Sequence, residues 1–262
     1  MWGSKTLGRG LGMALATSVF YAYGVNEGFA ILICTMSLIL LLPILSKELN
    51  YKAGHEAQLY KNRLTFKELV LGIRQSMFNP SAVAAIIFML FANIGYGIFD
   101  VIYNEFYIKE LGWNGEEIGY MRPYGMWLGG LIGLSAGLMT LYFRKRSLLL
   151  FFVIGQAVVF LTASTLSYET SNLLTSAVLI GVDQVDPRIS VLIFSILMAL
   201  CITQTSATNF GIFMGFGNIS MLIGNNIAPA ILGFGDFTYA ITYAALTLIP
   251  CLLCTLYLTR SS

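Results

Sequence analysis

Charged residues are scarce in this sequence. Only 11% of the 262 residues are charged, whereas 57% are hydrophobic, and the mean hydropathy is +0.76. A soluble domain of this length is normally about a quarter charged. One core cannot bury this much apolar surface, so lipid must solvate a large part of it. The composition therefore predicts an integral membrane protein with several spans.

Residues that commonly catalyse reactions or bind metals are also few. His55 is the single histidine and lies in a charged segment. All four cysteines lie in apolar segments, and Cys251 and Cys254 have the spacing of a redox or metal pair but no third ligand nearby, which favours packing thiols. The sequence has no phosphate-binding loop and no nucleophile elbow. We therefore predict no enzymatic activity, no cofactor and no metal site.

Long apolar runs, in contrast, are abundant. A helix that spans the membrane needs roughly 20 apolar residues. We therefore predict an all-α polytopic membrane bundle of about eight helices, at residues 8–25, 28–46, 80–103, 122–142, 148–167, 174–203, 206–232 and 238–258.

The basic residues sort unevenly between alternate ends of these spans. Three of the fifteen, Lys109, Arg122 and Arg188, fall on one side. The others fall on the side of the N-terminus: Lys5, Arg9, Lys47, Lys52, Lys61, Arg63, Lys67, Arg74, Arg144, Lys145, Arg146 and Arg260. Because positive charge collects on the cytoplasmic side of membrane proteins, both termini are predicted to be cytoplasmic.

One long polar connection, residues 47–79, joins the second and third predicted spans. Within it, residues 64–78 carry apolar side chains at three- and four-residue spacing, which is typical of an amphipathic helix on the cytoplasmic membrane face. The alternative is that this segment is the start of the next span. The pair Asn79-Pro80 interrupts the pattern and favours a separate helix.

Glycines recur every four residues in the fourth predicted span, at Gly125, Gly129, Gly133 and Gly137. On a helix they form one smooth ridge, along which a neighbouring backbone can approach closely. We predict that this ridge is a helix-packing face.

Two patches of sequence resemble a known family. The segment FYIKELGWNGEEIG, residues 106–119, resembles the segment after the seventh helix of AmpG-type muropeptide permeases, which with the acetyl-CoA transporters form a branch of the major facilitator superfamily. Met198–Cys201, followed by Thr205–Phe210, resembles that family's turn from the tenth helix into the eleventh. The resemblance covers roughly residues 80–258. Departures include Val182-Asp183, where the family has a Glu-Asn pair, and Met221, where it has an arginine.

The resemblance implies a transporter of twelve helices, in which two six-helix halves give alternating access to a solute. Residues 1–46 would then be the last two helices of the N-terminal half. Residues 47–79 would be the central cytoplasmic loop, and residues 80–262 the C-terminal half. The resemblance also implies a further segment of four helices before the first residue of this chain.

Ionisable residues inside apolar spans are costly and are functional candidates by default. Asp100 lies in the third span, and Asp183, Asp186 and Arg188 lie in the sixth. The resemblance makes these the seventh and tenth helices, which line the cavity where substrates and coupling ions bind. Asp100 is a candidate for substrate binding or proton coupling, or else a helix-end residue. The other three are candidates for an outer-mouth gate, or else for a solvated loop.

Depth in the membrane separates these candidates. At 1.5 Å per residue, Asp100 lies about 30 Å from Pro80, near the outer edge of the hydrocarbon core. Asn93, Tyr96 and Asn218 fall nearer to mid-depth. They are candidates for hydrogen bonds to a polar substrate, and interhelical hydrogen bonds are the equally weighted alternative.

These features together predict a secondary active transporter, or part of one, in the bacterial inner membrane. It would move a polar organic solute, such as a muropeptide, a sugar or a peptide-like compound, by proton-coupled alternating access. The expected partners are the lipid bilayer, the small solute and protons, and no nucleic acid. The alternative is a non-transporting membrane remnant or assembly partner that lacks half of the cavity. A channel ranks third, because the sequence has no repeated filter motif or charged ring.

Overall fold

The computed structural model describes residues 2–45, 65–183, 185–201 and 206–260. His55 and the charged residues between 46 and 64 lie outside these ranges. The prediction of an all-α bundle is confirmed, because the described ranges contain helices and no strand. The helices are α1 (Trp2–Tyr23), α2 (Val25–Leu45), α3 (Phe66–Met77), α4 (Pro80–Ala92), α5 (Ile94–Lys109), α6 (Gly115–Met139), α7 (Lys145–Ala163), α8 (Asn172–Asp183), α9 (Val185–Leu200), α10 (Ser206–Phe234), α11 (Phe237–Leu246) and α12 (Ile249–Arg260).

Two glycines with positive φ separate consecutive helices. Gly24, at φ +90°, lies between α1 and α2, and its N–H donates to the Phe20 carbonyl at 3.0 Å. Gly112, at φ +72°, lies between α5 and α6. Residues with a Cβ rarely adopt this conformation, so these positions end their helices sharply.

The short amphipathic helix α3 is separate from α4. It starts with a capping box, in which the Glu68 N–H donates to the Thr65 hydroxyl oxygen at 3.4 Å and the Thr65 N–H donates to the Glu68 carboxylate at 2.8 Å. The Thr65 hydroxyl also donates to that carboxylate, at 2.7 Å. The two hydrogen bonds that the carboxylate accepts, first that of the hydroxyl and then that of the N–H, lower the pKa of Glu68. The helix ends at Met77, and Asn79 then caps α4 by accepting from the Ser81 N–H at 3.1 Å. Proline at the first position of α4 suits this start because a first-turn N–H has no helical acceptor.

Three helical stretches are long and apolar enough to cross a membrane, judged by length and composition within the described ranges: Pro80–Lys109, Lys145–Ala163 and Phe237–Leu258. They give the chain its membrane-helix character. Each of the eight predicted spans overlaps one helix or two consecutive helices. Glycine, asparagine and charged residues make α1, α6 and α10 less apolar, so the number eight stays a prediction.

The prediction of one continuous helix over residues 174–203 is tested only in part. Residues 174–183, in α8, and 185–200, in α9, are helical, whereas Gln184 and residues 202–205 lie outside the described residues. A single helix through Gln184 therefore stays a prediction.

The helices pack around α5 and α6. Helix α5 contacts α10 and α11, whereas α6 contacts α1, α8 and α9. Large aromatic side chains fill the interior: Phe88, Phe99, Phe106, Tyr107, Phe160 and Phe213. Many large apolar side chains face outward, among them Phe29, Ile33 and Met36 of α2, each more than half exposed. Such a surface suits a hydrocarbon solvent.

The glycine ridge of α6 is buried at Gly125, Gly129 and Gly133. At Gly137 it is open, since a Cβ there would meet no atom within 4 Å.

Helices α5 and α10 approach each other closely along their backbones. A Cβ on Gly97 would lie 2.6 Å from the Met221 carbonyl oxygen, and one on Gly224 would lie even closer to the Ile94 carbonyl oxygen. The Asn225 amide, in the orientation that satisfies its neighbours, donates to the Gly97 carbonyl at 3.0 Å. Small residues thus let these two helices touch along their backbones.

Candidate functional site

Asp100 and Arg122 form an ion pair between α5 and α6. A guanidinium nitrogen of Arg122, Nη2, donates to Oδ1 of Asp100. The Arg122 side chain is 6% exposed and that of Asp100 is 23% exposed. Removing two charges from water costs several kcal/mol per ion, and only close mutual contact offsets this. The pair is therefore an expensive feature, of the kind usually kept for function.

An aromatic ring completes the surroundings of Arg122. The guanidinium carbon lies 3.8 Å from the centroid of the Tyr103 ring. Tyr103 is one helical turn after Asp100, so both side chains lie on the same face of α5. Contact with the ring face stabilises a desolvated guanidinium by up to about 2 kcal/mol. The cation is thus held from two sides by a single helix.

The sequence interpretation started the fourth span at residue 122, so it made Arg122 the first residue of that span. Helix α6 begins at Gly115, where Asn114 and Glu117 form a capping box. The Glu117 N–H donates to Asn114 Oδ1 at 2.8 Å, and the Asn114 N–H donates to the Glu117 carboxylate at 2.9 Å. This start places Arg122 about two turns inside the helix. The Asn-x-x-Glu pattern resembles a known capping signature and could have revealed the earlier start.

Pro123, next to Arg122, links α6 to α1. It has no N–H, so the Gly119 carbonyl four residues earlier loses its usual helical donor. The Thr17 hydroxyl of α1 donates to that carbonyl at 3.2 Å. A polar side chain on a neighbouring helix thereby satisfies the group that the proline leaves free.

We expect Thr17→Val to destabilise the α1–α6 contact by about 0.6–1 kcal/mol, because the Gly119 carbonyl then loses this donor. In the Pro123→Ala background, the introduced alanine supplies a helical N–H, and Thr17→Val should have almost no effect. Unfolding in mixed micelles measures both values. An equal effect of Thr17→Val in the two backgrounds would contradict this account.

Asn93 lies at the break between α4 and α5 and binds α10. Its backbone N–H donates to the Ser220 hydroxyl at 3.0 Å, and its Nδ2 donates to the Gly217 carbonyl at 3.4 Å. Of the two interpretations of Asn93, these contacts favour the interhelical hydrogen bond. They fix the break against α10, close to the Gly97–Gly224 crossing.

The other two mid-depth candidates lie in different surroundings. Tyr96 is buried in α5, whereas Asn218 is exposed on α10. Asn218 shares an exposed face with Asn226 and Gly211, and Asn226 Nδ2 donates to the Leu222 carbonyl at 2.7 Å. The same exposed side also carries Leu222, so it is mixed in character. The structure therefore does not gather Asn93, Tyr96, Asn218 and Asp100 around one point.

The proposed outer-mouth cluster is described only in part. The side chains of Asp183 and Asp186 lie outside the described residues. Arg188 lies in α9, half-buried, where its Nη2 donates to the Gly181 carbonyl at 3.4 Å. Its guanidinium carbon is 5.6 Å from the centroid of the Phe152 ring. Arg188 is therefore a helical residue packed against α7 and α8, and the alternative of a solvated loop is wrong for it.

The described residues contain no group of three His, Cys, Asp or Glu side chains that could hold a metal ion. The buried thiol of Cys251 donates to the Phe88 carbonyl at a distance of 3.5 Å, which is a packing contact between α12 and α4. Comparison with protein-family models and with curated proteins finds no match for this chain. The candidate site therefore rests on its own geometry, the ion pair of Asp100 and Arg122 with Tyr103.

Proposed function

We propose that this chain is part of a secondary active transporter of the major facilitator type, in the branch of the AmpG-type permeases and acetyl-CoA transporters. It would move a polar organic solute, such as a muropeptide, a sugar or a peptide-like compound, across the bacterial inner membrane. A proton gradient would drive this movement. Both termini would be cytoplasmic. The observation that carries this proposal is the ion pair between Asp100 and Arg122.

The length of the α4–α5 stretch supports placing this pair within the membrane. Pro80–Lys109 has 30 residues and is about 45 Å long, which exceeds a hydrocarbon core of about 30 Å. With the stretch centred on the core, Asp100 lies about 8 Å from the middle of the core and about 7 Å inside its outer edge. This is deeper than a span ending at residue 103 suggests, because α5 continues to Lys109.

A buried ion pair of this kind can couple proton binding to a helix movement. A proton that binds the Asp100 carboxylate removes its charge and ends the attraction to Arg122. The guanidinium then needs another acceptor, and a polar solute with an oxygen atom supplies one. Loss of the proton on the other side of the membrane restores the pair. Asp100 is the accessible partner in this scheme, and it is the more exposed one.

Two exposed asparagines of α10 support a solute path. Asn218 and Asn226 lie on the same exposed side of the helix as Leu222, and amide groups are costly in contact with hydrocarbon. This side of α10 therefore suits a water-filled cavity or a further helix. In the proposed transporter, it faces the cavity between the two halves.

Uptake by the purified chain in liposomes with an imposed pH gradient tests the proposal. We expect gradient-dependent uptake of at least one solute from a panel of muropeptides, sugars and peptides. Asp100→Asn should abolish the dependence on the gradient, because the amide cannot carry the proton. Glu105→Gln is the matched control: it removes the same charge from the same helix, at a position that is exposed and paired with Lys109 at 3.4 Å.

Two results would count against this function. Gradient-driven uptake that Asp100→Asn leaves intact excludes Asp100 as the coupling group. Absence of uptake by the well-folded wild-type chain excludes transport by this polypeptide and favours the alternative, a non-transporting membrane segment or assembly partner.

A further inference from the structure

A cavity of about 830 Å³ opens where α7 begins and α9 ends. One part of its wall is basic and polar and consists of Arg144, Lys145, Arg146 and Ser147. The other part is mainly apolar and consists of Ser195, Ile196, Ala199 and Leu200. Helix α6 runs from the end of the bundle with the Asp100–Arg122 pair and stops at Met139, just before Arg144. The cavity thus lies at the opposite end of the bundle from the candidate site.

The charged residues that the structure describes in the cavity wall are all basic. No acidic residue occurs among the described residues that line the cavity. Arg144 and Lys145 are exposed, and they lie at the N-terminus of α7, where the helix dipole adds further positive potential. Arg146 is held in place, because its guanidinium donates to the Leu258 carbonyl of α12. An anion in the cavity would meet all three cations and the free N–H groups of the first turn.

We propose that this cavity binds a phosphate group. Arg144, Lys145 and Arg146 provide the charge, and the Ser147 hydroxyl and the N–H groups of the first turn of α7 donate hydrogen bonds. The phosphate belongs either to the headgroup of an anionic phospholipid or to a soluble phosphate compound. Ile196 and Leu200 offer an apolar surface beside the charges, which a lipid tail can cover. This inference goes beyond the proposed transport and does not depend on it.

The predicted orientation agrees with a lipid source. The charge distribution predicts that this end of the bundle is cytoplasmic, and anionic lipids are concentrated in the cytoplasmic leaflet, where each nearby Lys or Arg adds about 1 kcal/mol of attraction.

Native mass spectrometry of the full chain with phosphatidylglycerol or phosphatidylcholine tests the lipid source. Calorimetric titration with inorganic phosphate tests the soluble source. We expect the wild-type chain to prefer phosphatidylglycerol, and the double variant Arg144→Gln/Lys145→Gln to lose about ten- to thirtyfold in that preference. The double variant Lys67→Gln/Arg74→Gln removes the same charge from exposed positions of α3 and should keep the preference.

The possible results distinguish a lipid ligand from a soluble phosphate compound, and both of them from failure of the proposal. Binding of inorganic phosphate that requires Arg144 and Lys145, without a preference between the lipids, identifies a soluble phosphate compound as the ligand. Equal losses in the two double variants would mean general attraction to surface charge and would overturn the proposal. The proposal would also be overturned if neither phosphatidylglycerol nor inorganic phosphate bound in a way that depends on Arg144 and Lys145.

Discussion

Asp100→Asn is expected to lower the free energy of unfolding by about 3–5 kcal/mol, because it leaves the buried Arg122 guanidinium without a counter-charge. Arg122→Gln should have a comparable effect, because it leaves the Asp100 carboxylate without its cation. The double variant Asp100→Asn/Arg122→Gln leaves no uncompensated charge and should be clearly more stable than the sum of the single effects predicts. Unfolding in mixed micelles, followed by tryptophan fluorescence, measures all four proteins.

The exposed pair of Glu105 and Lys109 on the same helix provides the control. Both side chains are more than half exposed, so Glu105→Gln should change stability by less than about 1 kcal/mol. Additive effects of Asp100→Asn and Arg122→Gln would mean that the two residues do not stabilise each other. In that case, the ion pair could not carry the transport proposal either.

Gly224→Ala is expected to destabilise the chain by about 3 kcal/mol, near the upper end of the range for overpacked sites. The added Cβ would lie closer than 3.0 Å to the Ile94 carbonyl oxygen and at 3.0 Å from Gly97 Cα. Both obstacles are backbone atoms, which cannot rotate away as a side chain can. The two helices must therefore separate, and the hydrogen bonds of Asn93 to Ser220 and Gly217 should weaken with them.

Gly211→Ala, on the same helix, is the matched control. A Cβ at this position would meet no atom within 4 Å, so alanine should be neutral or slightly stabilising through its better helix propensity. Thermal unfolding of the two variants in detergent compares them directly. Equal behaviour would mean that α5 and α10 do not touch at Gly224.

Much of the local structure follows from local sequence rules. Asn79-Pro80 separates α3 from α4, because the asparagine side chain caps the following helix and proline suits its first turn. The scarcity of charge indicates membrane helices, three of which are long and apolar enough to cross. Such features depend on neighbouring residues and on summed hydrophobicity, so a sequence displays them directly.

The sequence interpretation erred at a helix boundary. The boundary decides whether a residue lies at the end of a helix or in its interior. A start at residue 122 makes Arg122 the first residue of its span, whereas a start at Gly115 makes it a residue of the helix interior. A shift of one or two turns moves a side chain by about 5–11 Å and so changes its surroundings completely.

The sequence by itself determined that the chain is helical and rich in apolar segments, and that Asp100 is a charge in an unusual place. Only the tertiary structure decided that Arg122 neutralises this charge, that Asn93 binds α10, and that Gly97 and Gly224 bring two backbones together. The physical reason is that helix–helix contacts depend on the rotation and depth of each helix relative to its neighbours. Those quantities are set by the packing of all helices at once and cannot be predicted from a short stretch of sequence.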